Sequence, residues 1–324
     1  MISPIDSSFL NAQSDMGVEA LCAAKLRGEL RQNEAMSQHT SWRVGGAADQ
    51  FYRPADVDDL ACFLAQTNNN EAIVWIGLGS NLLVRDGGIR GVVIQTSGLL
   101  GEMNVQPDGS VRIEAGVACA KVARFCARNG LSGAEFLVGI PGTMGGALAM
   151  NAGAFGGETW PLVSAVETMG RDGQRYLRTP SEYSITYRHV EGLENEWFIA
   201  AYLSMPKGDS ELSRQKIKQF LAQRTDTQPT GQSSSGSVFR NPPGDFAGRL
   251  IEDCGLKGYR IGNVCVSDKH ANFFINLGGA TAADIEALIL YVAEVVEKKF
   301  EIRLLAEVHV IGDALLSQQT VQDD

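Results

Sequence analysis

The stretch "GIPGTMGGALAMNAGAFGGE", residues 139–158, carries seven glycines within 20 residues. Glycine is required where the backbone turns through positive φ, or where a ligand must approach the main chain without a Cβ in the way. A second glycine-rich stretch, "GLGSNLLVRDGG", occupies residues 77–88. Successive bare amides in such segments form a nest for phosphate. One segment alone is equally well explained by a tight turn, but two of them favour a pyrophosphate cradle and hence a nucleotide-like cofactor.

Neither stretch is a familiar nucleotide fingerprint. Residues 77–88 lack the third glycine of G-x-G-x-x-G and continue into apolar "LLV" rather than into an evident helix. No G-K-[ST] sequence occurs anywhere in the chain. The missing third glycine argues against a Rossmann dinucleotide site, and the absence of G-K-[ST] excludes a P-loop. The residues therefore predict the class of ligand without identifying it.

Charge and composition narrow the function further. The 324 residues carry a net charge of −10 with a pI near 5.0, which argues against a nucleic-acid binder. Residues 224–270 are relatively basic, with six basic side chains against five acidic ones, so a small anion can dock there. The six cysteines are scattered, as expected for reduced thiols. The four histidines lack metal-ligand spacing, and we predict no metal.

The N-terminal sequence "MISPIDSSFLNAQSDMGVEAL" does not resemble a signal peptide. It has no Lys or Arg before an apolar run, and it contains Asp6, Asp15 and Glu19. No stretch elsewhere reaches the roughly 18 uninterrupted apolar residues of a membrane span. A cytoplasmic protein with no membrane partner is expected.

Helical and strand-like patterns alternate without a regular βαβ rhythm, so the predicted class is α+β. Asp56 is expected to cap a short helix, and Gly130 to end another at 118–129. The turn "GRDG", residues 170–173, predicts a hairpin. Apolar runs predict strands at 72–76, 90–95, 110–117 and 197–205.

The C-terminal part is predicted to contain two helices. The first, near 245–254, is expected to bury one face, made of Phe246, Leu250, Ile251 and Cys254. The second, near 282–299, is expected to begin after Thr281 and to bury the stripe Ile285, Leu288, Val292 and Val295. The polar stretch "PKGDSELSRQ", residues 206–215, precedes both and is the predicted domain boundary.

Several motifs, read together, resemble one family. They are "SWRVGGAA", "GLGSNLLV", "GIPGTMGGALAMNAGAFGGE", "YRHV", "GSVFRNP", "GLKGYRIGNVCVSDKHANFFIN" and "LLAEVHVIG". In this order, from about residue 37 to 312, they resemble the UDP-N-acetylenolpyruvoylglucosamine reductase family. There is no room for the tyrosine-bearing insertion of one subgroup, which indicates the shorter, type II subgroup.

The resemblance implies a fold and its domains. The expected architecture is a two-part FAD-binding domain of the vanillyl-alcohol-oxidase/p-cresol-methylhydroxylase type, followed by a smaller α+β substrate-binding domain. The predicted bounds are an N-terminal extension at 1–36, the FAD-binding domain at 37–207, the substrate-binding domain at 215–312 and a C-terminal tail at 313–324.

The resemblance also implies a reaction. FAD, bound without a covalent link, would carry electrons from NADPH to UDP-N-acetylglucosamine enolpyruvate and yield UDP-N-acetylmuramate. That step belongs to peptidoglycan precursor synthesis, and so to cell wall biogenesis, cell shape and cell division. We expect a monomer. The residues expected to contact FAD are Gly77, Gly79, Ser80, Asn81, Leu82, Gly139, Ile140, Pro141, Gly142, Gly145, Gly146, Asn151 and Gly153.

Two of the implied catalytic residues would stabilise an enolate. Arg188 of "YRHV" suits a carboxylate because a guanidinium stays charged and can grip it with two parallel hydrogen bonds. Taken alone, such an arginine is typical of a surface ion pair. Glu307 lies in an apolar run, where burial raises a carboxyl pKa and lets it donate a hydrogen bond. Taken alone, it is typical of a strand residue that points outward. Ala306 replaces the family's usual proline.

The implied proton donor is Ser237, the serine of "GSVFRNP". A held hydroxyl can protonate an enolate carbon because that carbon is a strong base. Ser233, Ser234 and Ser235 are then expected to be loop residues that keep the backbone mobile. Arg240 replaces the family's usual lysine and keeps its charge but not its shape. Together with Arg240, the expected substrate contacts are Asn241 and Arg224.

Two other functions stay open at this stage. The protein can be an FAD-dependent oxidase of a different alcohol or lactone, which oxygen would reoxidise without any nucleotide sugar. It can also be a catalytically silent protein that binds flavin or a nucleotide sugar. The joint presence of Arg188, Ser237 and Glu307 disfavours the silent protein, because such a protein is free to lose any of them.

Overall fold

A computed structural model describes residues 26–192 and 194–315, and its mixture of helices and strands confirms the α+β class. The predicted N-terminal extension at 1–36 and C-terminal tail at 313–324 therefore lie largely outside the described residues. The α-helices are α1 Val57–Gln66, α2 Cys119–Arg128, α3 Met144–Ala149, α4 Ser210–Thr227, α5 Ala247–Asp253 and α6 Ala282–Phe300. Short 3₁₀ turns occupy Met36–Gln38, Glu135–Gly139, Trp160–Leu162 and Pro180–Glu182.

The strands fall into sheets of different sizes. In chain order they are β1 Glu29–Ala35, β2 Ala47–Arg53, β3 Ile73–Ile76, β4 Leu82–Val84, β5 Ile89–Gln95, β6 Met103–Val105, β7 Val111–Glu114, β8 Gly153–Ala154, β9 Gly157–Glu158, β10 Val163–Gly170, β11 Arg175–Arg178, β12 Ser184–Thr186, β13 His189–Glu191, β14 Glu196–Leu203, β15 Arg260–Ile261, β16 Val264–Val266, β17 Phe274–Asn276 and β18 His309–Ile311.

The strand order places distant segments side by side. The larger sheets have the orders β11-β10-β14-β7-β6 and β1-β2-β5-β3, and a smaller one has the order β15-β16-β17. The strands β12 and β13 form an antiparallel hairpin, as do β8 and β9. One pair is parallel: β4 lies beside β18, with Leu82 opposite His309. A parallel pair needs a long connection, and here most of the chain supplies it.

Local signals in the sequence account for most element boundaries. The Asp56 side chain accepts the N–H of Asp59 and so caps α1, as predicted. Gly130 follows α2 at φ +67, the left-handed conformation of a helix stop. Thr281 and Asp284 form a reciprocal capping box at the start of α6, also as predicted. The "GRDG" hairpin is confirmed by the antiparallel pairing of β10 with β11.

In α6 the buried stripe continues from Val292 to Val296, four residues on, so the predicted Val295 is only partly buried. Two further expectations fail, each for a physical reason. Phe246 is 67% exposed rather than buried; it precedes α5 in an extended conformation, so the helical period does not apply to it. Residues 210–215, read as part of a polar boundary, begin the 18-residue helix α4. Along α4 only Ser213 and Ile217 are buried, and its apolar residues at helical spacing, Ile217, Phe220 and Leu221, span little more than one turn, so the pattern is too short to predict the whole helix.

The contacts divide the described chain into two compact units. The first unit consists of residues 26–30, 52–78 and 94–223, and the second of 31–51, 79–93 and 224–315. This division is discontinuous in sequence and differs from the continuous domain bounds expected at 37–207 and 215–312, which stay a prediction.

Each unit has its own apolar core. In the first, α2 and α3 pack with β7, β10 and β14 around residues such as Val122 and Leu148. In the second, α5 and α6 pack with β16 and β17, and Trp42 joins them from a distant part of the chain by donating its indole N–H to the Phe274 carbonyl at 2.8 Å.

None of the helices among the described residues combines the length and the apolar character that crossing a bilayer requires.

Candidate active site

The first glycine segment, residues 77–81, connects β3 to β4. Gly79 has φ +68, and a Cβ on it would lie 1.9 Å from the carbonyl oxygen of His39. The carbonyl of Gly79 also accepts the N–H of Ser41 at 3.1 Å. Glycine at position 79 is therefore required both by backbone conformation and by the close approach of another main-chain segment.

Free backbone amides in this segment fit the cofactor. The N–H groups of Leu78, Gly79 and Ser80 donate to no acceptor in the part of the chain that the structure describes. Successive unpaired amides are what an anionic pyrophosphate requires, because each can donate a hydrogen bond to a phosphate oxygen. The segment thus retains the donor set that the sequence predicts.

The second glycine segment, residues 139–153, is fixed by its own main chain. The N–H of Gly145 donates to the Ala115 carbonyl at 2.8 Å, and a Cβ on Gly145 would lie 2.9 Å from that of Ala115. A Cβ on Gly139 would approach the Phe155 ring within 2.4 Å. Packing alone therefore explains Gly139 and Gly145, whatever they contribute to a ligand.

Other predicted cofactor residues of this segment lie around the start of α3. Thr143 caps the helix by accepting the N–H of Gly146 at 3.5 Å, and Ile140 and Pro141 precede it. The N–H groups of Gly142 and Thr143 find no acceptor within residues 26–192 and 194–315. These amides are further donors that fit a phosphate group.

Arg188 occupies the two-residue turn between β12 and β13. Its φ is +57, a left-handed conformation that non-glycine residues seldom adopt. Nη2 donates to the Gly153 carbonyl at 2.7 Å, and Nη1 donates to the Asn151 carbonyl at 3.3 Å. The structure thus joins three predicted site residues, although Asn151 and Gly153 use their carbonyls to hold the arginine.

The side chain of Asn151 is also engaged within the first unit. Nδ2 donates to the Thr186 carbonyl at 3.1 Å and to Glu158 Oε2 at 3.0 Å, while Oδ1 accepts the N–H of Trp160 at 3.1 Å. Asn151 is only 2% exposed. Its amide therefore acts inside the protein in this structure, although the sequence predicts a cofactor contact.

Ser237 and Glu307 lie on neighbouring segments of the second unit. Phe239 and Ala306 form an antiparallel bridge, the N–H of Glu307 donates to the Val238 carbonyl at 2.8 Å, and that of Arg240 donates to the Leu305 carbonyl at 2.9 Å. Val238 and Phe239 are fully buried, whereas Ser237, Arg240 and Glu307 are half-buried. The pairing places the backbone of the predicted acid, Glu307, beside that of Val238, the residue that follows the predicted proton donor.

The segment that carries Ser237 is fixed from its other side by Asn272. The Asn272 carbonyl accepts the N–H of Val238 at 2.9 Å, and its side-chain amide exchanges two hydrogen bonds with the main chain of Phe239. Sequence reasoning missed Asn272. The available signal was its position in the quoted motif "DKHANF".

The serines before Ser237 do not behave as an exposed spacer. Ser235 is only 4% exposed, and the Ser233 carbonyl accepts the N–H of Asn276 at 3.0 Å. The Ser235 Oγ is buried and has no hydrogen-bond partner among the described residues. The expectation of a mobile approach is therefore wrong at Ser235, because the segment packs against β17.

The predicted substrate residues differ in their surroundings. No ion pair within the described ranges involves Arg240, and its buried Nε has no partner there. Arg224 donates from Nε to Gln228 Oε1 at 3.3 Å, and burial lowers the pKa of its guanidinium. A half-buried cation without a carboxylate fits an anionic ligand. Asn241 Oδ1 instead accepts the N–H of Ala247 at the start of α5, a structural contact.

Among the described residues, no group of three or more His, Cys, Asp or Glu side chains is arranged to hold a metal ion.

Comparison with known proteins adds family evidence. A model of an FAD binding domain matches residues 48–176, and a model of the C-terminal domain of UDP-N-acetylenolpyruvoylglucosamine reductase matches residues 228–311.

Relatives that align over nearly their whole length are named for the same reductase. The UDP-N-acetylenolpyruvoylglucosamine reductase of Nitrosococcus oceani is 56% identical over 293 residues, which cover 90% of this chain and 98% of that protein. The enzyme of the same name from Legionella pneumophila (strain Lens) is 55% identical over 299 residues, covering 92% of this chain and 97% of that one. A crystal structure of the reductase from Thermus caldophilus is 32% identical, with a TM-score of 0.74, and covers 88% of this chain and 99% of that one.

Proposed function

Because the chain belongs to the UDP-N-acetylenolpyruvoylglucosamine reductase family of FAD-dependent oxidoreductases, we propose that it reduces UDP-N-acetylglucosamine enolpyruvate to UDP-N-acetylmuramate with NADPH as reductant. This reaction serves peptidoglycan precursor synthesis and hence cell wall biogenesis, cell shape and division. We place it in the cytoplasm and expect a monomeric enzyme. The observation that supports the proposal is the pairing of residues 238–240 with 305–307: Ser237 immediately precedes the first segment, and Glu307 lies in the second, with its N–H bonded to the Val238 carbonyl.

We assign cofactor binding to the two glycine segments. The unpaired amides of Leu78, Gly79, Ser80, Gly142 and Thr143 donate to the FAD pyrophosphate, and glycine at position 79 leaves the main chain accessible. When bound, FAD supplies the hydride that the substrate double bond receives. The expected domain bounds, 37–207 for FAD and 215–312 for substrate, are supported by the two family-model matches, which fall within them.

Arg188 and Glu307 act on the substrate carboxylate. Hydride addition to the terminal carbon of the double bond pushes electron density onto the conjugated carboxylate. The Arg188 guanidinium is held by the carbonyls of Asn151 and Gly153, so it meets the developing charge without reorganising. Glu307, as a neutral acid, donates a hydrogen bond to the same group.

Ser237 completes the reaction. Its hydroxyl transfers a proton to the carbon next to the carboxylate, and buried Val238 and Phe239 hold the serine in place. Arg240 and Arg224, which lack carboxylate partners in the described structure, neutralise the substrate diphosphate. Asn241 contributes indirectly, because its side chain caps α5.

The decisive experiment follows the flavin through each half of the reaction. The purified protein is reduced anaerobically with NADPH, and UDP-N-acetylglucosamine enolpyruvate is then added. The proposal expects bleaching by NADPH and rapid reoxidation by the enolpyruvyl substrate with formation of UDP-N-acetylmuramate. Reoxidation only by oxygen would indicate an oxidase of another substrate. Flavin that never bleaches, or no flavin, would indicate a silent binding protein.

A further inference from the structure

The conformation of Arg188 needs an external constraint. The residue sits in the turn between Thr186 and His189, which are paired across the hairpin β12–β13. A left-handed φ in a residue that carries a Cβ costs roughly 1 kcal/mol, so the surrounding structure must enforce it at Arg188. Without that constraint, both the main chain of the turn and the plane of the guanidinium would be free to move.

Asn151 supplies the constraint at two points. Its Nδ2 donates to the carbonyl of Thr186, the last residue before the turn, at 3.1 Å. Its main-chain carbonyl accepts Nη1 of Arg188 at 3.3 Å. One residue therefore fixes the backbone that enters the turn and also the guanidinium at the end of the side chain.

Asn151 is itself immobilised. It is almost fully buried, its φ is +45, and asparagine is the non-glycine residue that best tolerates such a conformation. Its Oδ1 accepts the N–H of Trp160, and the Trp160 indole donates to the Leu148 carbonyl at 2.8 Å. Nδ2 is shared between Thr186 and Glu158. With both amide donors in use, the side chain is suited to positioning rather than to holding a cofactor.

We propose that Asn151 is the positioning residue for Arg188, and that it sets the angle at which the guanidinium meets the carboxylate of the substrate. The inference rests on the proposed function, because it assumes that Arg188 contacts that carboxylate. Its consequence is that Asn151 affects only the half-reaction in which the enolpyruvyl substrate is reduced. A misplacement of about 1 Å in such a group can slow a reaction about 100-fold.

The test uses Asn151→Asp. This variant keeps the size, the tolerance of positive φ and the oxygen that faces the Trp160 N–H. It replaces Nδ2 by an oxygen that faces two acceptors, the Thr186 carbonyl and Glu158, so those contacts become repulsive. Flavin content and the rate of flavin reduction by NADPH should stay within about twofold of wild type. Reoxidation by the enolpyruvyl substrate should slow by about 10- to 100-fold.

A double-mutant cycle separates positioning from a general structural effect. Arg188→Ala should slow reoxidation more than Asn151→Asp does. The double variant should reoxidise at a rate within about threefold of that of Arg188→Ala, since the residue being positioned is gone. If the double variant is slowed by the product of the two single effects, the two residues act independently and the proposal is wrong. Equal losses of rate in both half-reactions would also overturn it. If Arg188→Ala alone leaves reoxidation intact, then the assigned role of Arg188 has failed instead.

A second variant guards against a folding failure. Asn151→Gly adopts φ +45 without strain and removes all three side-chain hydrogen bonds. It should reproduce the selective loss of reoxidation, with a cooperative thermal transition and bound flavin retained. A glycine variant that folds, binds flavin and reoxidises at the wild-type rate would contradict the assignment.

Discussion

The side-chain amide of Asn81 donates to the carbonyl oxygen of Glu307 at 3.0 Å. The carbonyl of Asn81 in turn accepts the N–H of His309 at 3.0 Å, at the start of the parallel pair β4–β18. Within the second unit, the first glycine segment and the proposed acid are thus parts of one hydrogen-bonded arrangement. A change in the glycine segment is therefore transmitted to the backbone that carries Glu307.

Asn81→Ala tests this connection. Loss of one partly buried hydrogen bond should lower the free energy of unfolding by about 1 kcal/mol. Because Glu307 loses a backbone anchor, reoxidation of the flavin by the enolpyruvyl substrate should slow by about tenfold, while flavin reduction by NADPH stays near the wild-type rate. Stopped-flow absorbance measures both rates. Loss of bound flavin, with normal rates in the molecules that retain it, would mean that Asn81 serves the cofactor instead.

Ser237→Ala should separate the two half-reactions more completely. Flavin reduction by NADPH should be almost unchanged, and reoxidation by substrate should slow by about 100-fold or more, because the proton donor is missing. Ser235→Ala is the matched control two residues away. Its buried hydroxyl has no partner among the described residues, so its removal should leave both rates intact and stability equal or slightly higher. Equal loss in both halves for Ser237→Ala would show that Ser237 is misassigned.

Gly79→Ala should prevent the first glycine segment from adopting its observed conformation. The added Cβ would lie 1.9 Å from the His39 carbonyl oxygen, at φ +68, so we expect loss of bound flavin and a destabilisation of about 3 kcal/mol or more. Gly109→Ala is the control: φ is +86 there, but a Cβ meets nothing within 4 Å. It should cost only about 1 kcal/mol and retain flavin. Denaturant titration measures the change in stability, and flavin absorbance measures the bound cofactor. Equal losses of stability and flavin in Gly79→Ala and Gly109→Ala would refute the steric argument.

The acid stability of the protein should depend on Asp59. Burial alone would raise the pKa of this carboxyl, but hydrogen bonds from the Tyr52 hydroxyl and from the N–H groups of Ala55 and Arg27 outweigh it and lower the pKa. A lowered folded-state pKa contributes stability above the ordinary Asp value of about 4, and that stability is lost as pH falls through the lowered value.

Tyr52→Phe removes the strongest side-chain donor to Asp59 and should reduce this pH dependence. Urea midpoints of wild type and variant, measured from about pH 7 down to about pH 3, should differ most near neutral pH and converge as the medium becomes acidic. Parallel curves over the whole range would contradict the role given to Asp59.

The parts of the fold that the sequence predicts are those decided by local chemistry. The Asp56 and Thr281 caps and the Gly130 stop depend on neighbours within a few residues, so their signals are visible in the sequence. The apolar residues of helix α4 at helical spacing, Ile217, Phe220 and Leu221, span little more than one turn, and Phe246 lies just outside the helix to which its spacing assigned it. The spacing of apolar residues does not show at which residue a helix begins.

The site follows the same division. The glycine segments could be identified from residue types, because their chemistry is local, whereas Ser237 was assigned only through the resemblance to a known family. The roles of Asn151 and Asn272 could not, since they depend on hydrogen bonds to main-chain atoms more than 30 residues away. Likewise, Gly145 is explained by contact with Ala115, which only the folded chain brings near.

The bond from Asn81 to Glu307 spans 226 positions of the chain. At a synthesis rate of about 5–20 residues per second, roughly 10 to 45 s pass between the translation of the two ends. During that time β4 has no partner on its β18 side, and Trp42 lacks the β17 carbonyl that it binds in the finished protein. An unpaired edge and an unburied indole on a nascent chain invite premature association. A chain that ends before β18 therefore lacks the strand that pairs with β4 in the second unit.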